Sequence, residues 1–313
     1  MGTDLSSVRG QGQARRALEI AAAGGHNLLL FGPPGSGKTL LASCLPALLG
    51  PLDVQQAMTL ACVESLSHSG FDPQDFRRRP FRQPHHSASA VALTGGGRPP
   101  SPGEMSLAHE GVLCLDEMAE FPRHVLDMLR EPLESGAVRV ARAGYQVNFP
   151  ARFQLIGTLN PCPCGYLGDL QQECRCSREQ VQRYRSRLSG PLLERIDLQL
   201  RVDRPSPEAM LAAPAAESSA AVAARVQSVQ QVMLSRQGCL NARLPVPALE
   251  EQVRLGSAER QLLEQAMQKL SLSARGLHRS LRLARTIADL DAAAEVRIAH
   301  LSEALSYRQF ERV

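Results

Sequence analysis

The octapeptide Gly32-Pro33-Pro34-Gly35-Ser36-Gly37-Lys38-Thr39 constrains this chain more than any other stretch. It fits the pattern G-x-x-x-x-G-K-[ST], and its setting is the one that pattern requires. Before it, His26-Asn27-Leu28-Leu29-Leu30-Phe31 reads as a buried strand. After it, Leu40, Leu41 and Leu45 suit one side of a helix, which Pro46 should end or kink. Strand, glycine loop and helix in that order let backbone N–H groups close around phosphates, and the helix N-terminus adds a favourable dipole. The pattern assigns Gly32 through Leu40 to nucleotide binding, Lys38 to the β- and γ-phosphates, and Thr39 to Mg²⁺. Lys38 is also one of only two lysines, with Lys269, in a chain that otherwise uses arginine.

The rest of the chain predicts an α/β fold around this loop. From Leu5 to about Arg204, short apolar strands alternate with helical patterns, which argues for a central, mainly parallel sheet. The expected strands are Asn27–Phe31, Ala57–Cys62, Val112–Leu115, Phe153–Thr158 and Ile196–Val202. Pro205-Ser206-Pro207 marks a boundary between a nucleotide-binding domain over 1–204 and an all-helical domain over 205–313. In the second, Val222, Val226, Val229 and Met233 share one stripe, as do Leu281, Ala284, Ala288 and, less well, Leu290. At 313 residues, either domain has room for a core. The absence of Trp, with only 4% aromatic residues, argues against extended base stacking as the main mode of recognition. The net charge of +4 permits a polyanionic partner without demanding one. No apolar run reaches transmembrane length and no signal-peptide pattern follows Met1, so the chain reads as cytoplasmic, without a membrane partner.

Further along lie groups able to turn a phosphate site into a hydrolase. Val112-Leu113-Cys114-Leu115-Asp116-Glu117 is an apolar strand ending in two carboxylates. Asp116 can hold Mg²⁺, while Glu117, pointing elsewhere, can polarise an attacking water. Phe153 through Asn160 is a second buried strand, ending in an amide that can hold that water or simply form a turn before Pro161. Arg195 stands just before the last strand, and Arg282 lies in the helical domain. In isolation both read as surface residues. Cys162, Cys164, Cys174 and Cys176 place four thiols within fifteen residues. Eight cysteines in a chain this long do not suggest a disulfide scaffold, so the cluster suits a tetrahedral structural Zn²⁺ site, with reduced or redox-active thiols as the other reading. Arg77-Arg78-Arg79 reads as a solvated run, and His85 and His86 as hydrogen-bonding groups at an interface.

These residues together resemble an AAA+ ATPase of the magnesium-chelatase-like ComM/YifB family. Beyond the nucleotide motifs, the resemblance rests on Arg79 through Ser87 (RPFRQPHHS), Gly95-Gly96-Gly97, Pro102-Gly103-Glu104, Leu107 through Gly111 (LAHEG), Asn160 through Gly165 (NPCPCG), Arg187 through Asp197 (RLSGPLLERID) and His278 through Leu290 (HRSLRLARTIADL). It implies that Asn160 is sensor 1, that Arg195 is an arginine finger reaching a neighbouring subunit's site, and that Arg282 is the sensor 2 arginine of a helical lid. It implies ATP and Mg²⁺ as cofactors and a homo-hexameric ring. It also implies that Ala92–Gly103, carrying Arg98, is a helix 2 insertion. Residues 137–149, turning at Ala143-Gly144 and carrying Arg139 and Arg142, would be a pre-sensor 1 hairpin. Both elements would line a pore around single-stranded or branched DNA, touching its phosphates without reading sequence. The implied work is helicase-type branch migration in recombination during natural transformation. A magnesium-chelatase motor subunit or a MoxR-like protein remodeller is the alternative. A sigma-factor-contacting activator shares the hairpin class, but its Gly-Ala-Phe-Thr-Gly-Ala loop is not found in this sequence. Members also carry an N-terminal Lon-protease-like domain, and this sequence begins where their ATPase module should begin.

Overall fold

The computed structural model describes residues 3–142, 145–169, 171–205, 217–270 and 272–310. Among them are the strands β1 (Leu28–Phe31), β2 (Phe81–Arg82), β3 (Gly95–Gly96), β4 (Ser101–Pro102), β5 (Val112–Leu115), β6 (Ala137–Arg142), β7 (Tyr145–Pro150), β8 (Gln154–Leu159) and β9 (Leu198–Arg201). Five of these form a sheet in the order β2-β5-β8-β1-β9. β5 runs parallel to both β2 and β8, and β1 runs parallel to β9. β1, β5 and β8 are buried at every position, which is why they read as unbroken apolar runs rather than alternating ones. This is the expected α/β architecture with a helical C-terminal region. By compactness the chain divides into one unit of Met1–Phe31, Ser36–Leu49 and Ile196–Val313, and another of Gly32–Gly35 and Gly50–Arg195.

The first unit holds β1, β9 and most of the longer helices. Helix Lys38–Leu48 buries Leu41 and Leu45, but Leu40 is 40% exposed, so the expected apolar side does not include it. Pro46 does not end this helix, which runs on to Leu48. In Ser219–Gln237, Val222, Val226 and Met233 are buried and Val229 is half-buried, as the stripe predicts. Helix Ala274–Leu290 starts at Ser273, whose hydroxyl accepts from the Gly276 N–H at 3.2 Å. Its last turns carry a buried polar network. Asp289 accepts from Arg285 at 2.9 Å, from Arg236 at 2.6 Å and from Asn241 at 2.8 Å. Thr286 meets His26 at 2.7 Å. The TIADL string thus serves packing, with each buried charge paired.

Asp197 anchors the start of β9 in the same way. It is fully buried and accepts from Arg279 at 2.8 Å and from the Asn27 N–H at 2.9 Å, with His26 Nδ1 at 3.6 Å. Burial pushes its carboxyl up, but the Arg279 guanidinium, His26 and the Asn27 N–H more than offset this and hold it well below the usual carboxylate range. A carboxylate with a lowered folded-state pKa stabilises the fold above its unfolded value, and that contribution is lost as pH falls below about 4. Asp197→Ala should cost about 3 kcal/mol at neutral pH, because it removes the buried acceptor shared by the half-buried Arg279 and the Asn27 N–H. Urea melts of the two proteins check this. The gap between them should narrow as pH falls below about 4, and an unchanged midpoint at pH 7 would contradict it.

The second unit corrects one expected strand. Ala57–Cys62 lies within a helix, Val54–Ser65. Asp53 accepts from the Gln56 N–H at 2.8 Å and the Gln56 side chain returns to the Asp53 N–H, a capping box that starts the helix. Ala57, Leu60 and Val63 are its buried residues, a spacing of three that suits a helix face. Phe81–Arg82 forms the β2 strand in its place, paired with β5. Gly95–Gly96 and Ser101–Pro102 pair antiparallel as a small hairpin within the expected insertion. β6 and β7 pair in register along their whole length, with Arg139 opposite Asn148. The expected turn at Ala143-Gly144 lies outside the described residues. So does the side chain of Arg142.

The arginine run is not simply solvated. Arg77 Nε donates to the Leu52 carbonyl at 2.9 Å, and Arg79 donates to those of Gly50 and Glu110 at 2.6 and 2.5 Å. Arg78 makes a surface pair with Asp75.

Candidate functional site

The phosphate-loop pattern has the backbone it needs. Gly35 and Gly37 take φ of 77° and 85°, values a side chain would disfavour. Helix Lys38–Leu48 starts directly after Gly37, Lys38 is buried and Thr39 is exposed. At the front of the loop, the Gly32 N–H donates to the Leu159 carbonyl at 3.1 Å, which ties it to the end of β8.

At the end of β5, Asp116 and Glu117 are held by a residue the sequence reading passed over. Thr158 Oγ1 donates to Asp116 Oδ1 at 2.5 Å and accepts from the Glu117 N–H at 3.0 Å. One hydroxyl thus uses both its donor and an acceptor to fix two acidic residues on the neighbouring strand. Thr158 lies in β8, two residues before Asn160, which follows the end of the strand. Glu117 itself sits at φ 51°, ψ 49°. A left-handed conformation costs a non-glycine residue about 1–2 kcal/mol. The turn sends its exposed carboxylate away from the path of the strand, while Asp116 stays half-buried. Strain of this kind at a strand end is characteristic of functional sites.

Arg195 is 8% exposed. It donates to the Pro191 carbonyl at 2.7 Å and forms an ion pair with Glu134. The pair opens on a cleft of about 660 Å³ whose lining includes Asp127, Arg130, Glu131 and Arg139. In the other unit, Arg282 is half-buried and its Nε donates to the Leu244 carbonyl at 2.8 Å. Burial and the neighbouring Arg279 lower its pKa. Arg98 and Arg139 are exposed. The His85 and His86 rings stack at 4.0 Å, and His85 Nδ1 meets Ser87 Oγ at 2.8 Å.

The four clustered cysteines come together. The ligand atoms of Cys162, Cys164, Cys174 and Cys176 lie within 4.8 Å of one another. The sulfur separations are 3.4 Å for Cys162–Cys164 and 3.6 Å from each of these to Cys174. A disulfide would need about 2.05 Å. Four thiolates about 2.3 Å from one tetrahedral ion lie about 3.8 Å apart, close to what is seen. Burial alone would raise the Cys164 thiol, but the backbone N–H groups of Tyr166 and Arg175 bring it down to about 6. Burial pushes the isolated Cys44 and Cys114 up to about 11 and about 12. Of the four clustered thiols Cys164 alone is lowered, while Cys162, Cys174 and Cys176 are raised, so the cluster offers one ready thiolate to a soft cation.

Comparisons with known proteins agree with this geometry. The family model described as magnesium chelatase, subunit ChlI, matches residues 4–210, and its C-terminal companion matches residues 216–308. The chain is 47% identical over 312 residues to YifB of Escherichia coli and 46% identical over 311 residues to the competence protein ComM of Haemophilus influenzae. Each match covers 99% of this chain and 61% of the relative, so the chain spans only part of the length of these proteins. The magnesium-chelatase 38 kDa subunit of Cereibacter sphaeroides is 31% identical over 176 residues, covering 50% of this chain and 52% of that subunit. Among the described residues no helix is long and apolar enough to cross a membrane. With both family models matched and near-full-length identity to YifB and ComM, the chain belongs to the magnesium-chelatase-like ComM/YifB family of AAA+ ATPases.

Proposed function

We propose that this chain is the ATPase module of a Mg²⁺-dependent cytoplasmic motor that assembles as a homo-hexameric ring and moves along single-stranded or branched DNA. Its work would be helicase-type branch migration in recombination during natural transformation. The arrangement of Asp116, Thr158 and Glu117 carries the catalytic part of this reading, since a fixed carboxylate pair at a strand end is what metal-assisted hydrolysis of a phosphoanhydride needs. Gly32 through Leu40 would hold the nucleotide, with Lys38 on its terminal phosphates. Thr39 and Asp116 would hold Mg²⁺, Glu117 would take the proton of the attacking water, and Asn160 would orient that water. Arg282 would close the lid on the γ-phosphate, and Arg195 would complete the site of the next subunit. Cys162, Cys164, Cys174 and Cys176 would hold one Zn²⁺ as a structural ion.

The DNA part of the reading is supported by the name of the competence protein ComM at 46% identity and by the exposed arginines Arg98 and Arg139 on two hairpins, with Arg142 at the end of β6. ATP turnover by the hexamer should rise severalfold on adding single-stranded or forked DNA, measured by phosphate release. No rise with any DNA, in a preparation shown to be hexameric, would overturn the DNA part and favour a protein or chelatase partner.

A further inference from the structure

The cysteine cluster does not stand apart from the nucleotide loop. Its first two ligands lie on the segment that leaves β8 by way of Asn160, and the Gly165 N–H donates to the Cys162 carbonyl at 2.9 Å, closing a tight turn around Cys164. Gly165 is buried and sits at φ 86°. A Cβ added there would lie 2.7 Å from both Cγ and Cδ of Pro34, so the proline ring of the phosphate loop packs directly on the backbone of this turn. The same phosphate loop is tied to β8 by the Gly32–Leu159 hydrogen bond. Pro34 is thus held between β8 and a turn that carries two of the four sulfurs.

The cluster joins both ends of the segment that carries this turn. From Pro161 to Ser177 the described residues include no helix or strand. Contacts that brace it include the Cys164 N–H on Cys176 Sγ at 3.4 Å and Arg185 Nε on the Pro161 carbonyl at 3.3 Å. A segment this long has considerable freedom to lose, and an ion joining Cys162 and Cys164 to Cys174 and Cys176 removes it at a stroke.

We propose that the four-cysteine site, with one Zn²⁺ bound, keeps Gly165 seated on Pro34 and thereby sets the affinity of the phosphate loop for nucleotide. The inference rests on the zinc reading above and adds an energetic coupling to it. Coupling between two ligands is reciprocal, so each must change the other's affinity by the same factor. Loss of the metal would loosen the loop and weaken ATP binding although every residue assigned to the nucleotide is still present.

The test uses the wild-type chain, purified without chelator, and reads both ends of the coupling. Zinc content is measured by mass spectrometry, and zinc retention is then measured against a competing chromogenic chelator, with and without a saturating non-hydrolysable ATP analogue and Mg²⁺. The analogue should tighten zinc about tenfold, within the usual range for coupled sites. Gly165→Ala, which keeps every sulfur, should hold full zinc yet bind a fluorescent ATP analogue about tenfold more weakly. Zinc retention that is unchanged by nucleotide, or wild-type affinity in zinc-loaded Gly165→Ala, overturns the coupling while leaving the zinc site standing. A native chain that carries no zinc, and takes up none when supplied, overturns the metal reading and the coupling with it.

Discussion

Glu117→Gln is expected to bind ATP as wild type does and to hydrolyse it at least about 10²-fold more slowly, the loss expected when a general base is removed. The reason lies in how this residue is held. Its backbone N–H is fixed by Thr158 and its left-handed turn is set by the chain, so an isosteric amide changes the charge and not the position. Asp116 keeps its own bond to Thr158 and remains able to hold Mg²⁺. Binding of a fluorescent nucleotide and steady-state phosphate release, measured on the same preparation, separate the two effects. Turnover close to wild type would remove Glu117 from the chemistry.

Much of the sheet could be read from the chain because its strands are continuous apolar runs. Leu28–Phe31 and Val112–Leu115 are buried at every position and have nothing polar to blur them. Ala57–Cys62 has the same apolar content but is helical. Its identity is decided outside the run, by the cap that Asp53 and Gln56 make. The four cysteines were visible as a cluster because their ligand atoms converge from two short C-x-C pairs. Thr158 was not visible. Its role depends on where β8 lies beside β5, a pairing set by tertiary packing. The same holds for Arg77 and Arg79, whose carbonyl partners lie at Gly50, Leu52 and Glu110, and for Arg195, whose partner Glu134 lies 61 residues earlier.

Arg195→Ala is expected to lower ATP turnover of the assembled protein about 10³-fold, at the lower end of what an arginine finger supplies in other nucleotide hydrolases. The residue is nearly buried in its own subunit and paired with Glu134, so its guanidinium is pre-positioned rather than free to swing. A γ-phosphate presented by a neighbouring subunit would have to compete with Glu134 for it. On the proposed reading, turnover would then be conditional on assembly. It also means that the loss in Arg195→Ala should appear in turnover more than in nucleotide binding, since the subunit's own phosphate loop is intact.

In the proposed ring, each ATP site is shared between two copies of the chain. The most direct measurement mixes Arg195→Ala subunits with Lys38→Ala subunits and follows phosphate release. Each variant alone should be nearly inactive. In the mixture, a site with an intact Lys38 on one subunit and an intact Arg195 on the next re-forms, and part of the wild-type turnover should return. If mixed rings form, as shown by exchange of labelled subunits, and turnover stays at the level of the separate variants, Arg195 does not act across an interface and the shared-site account is wrong.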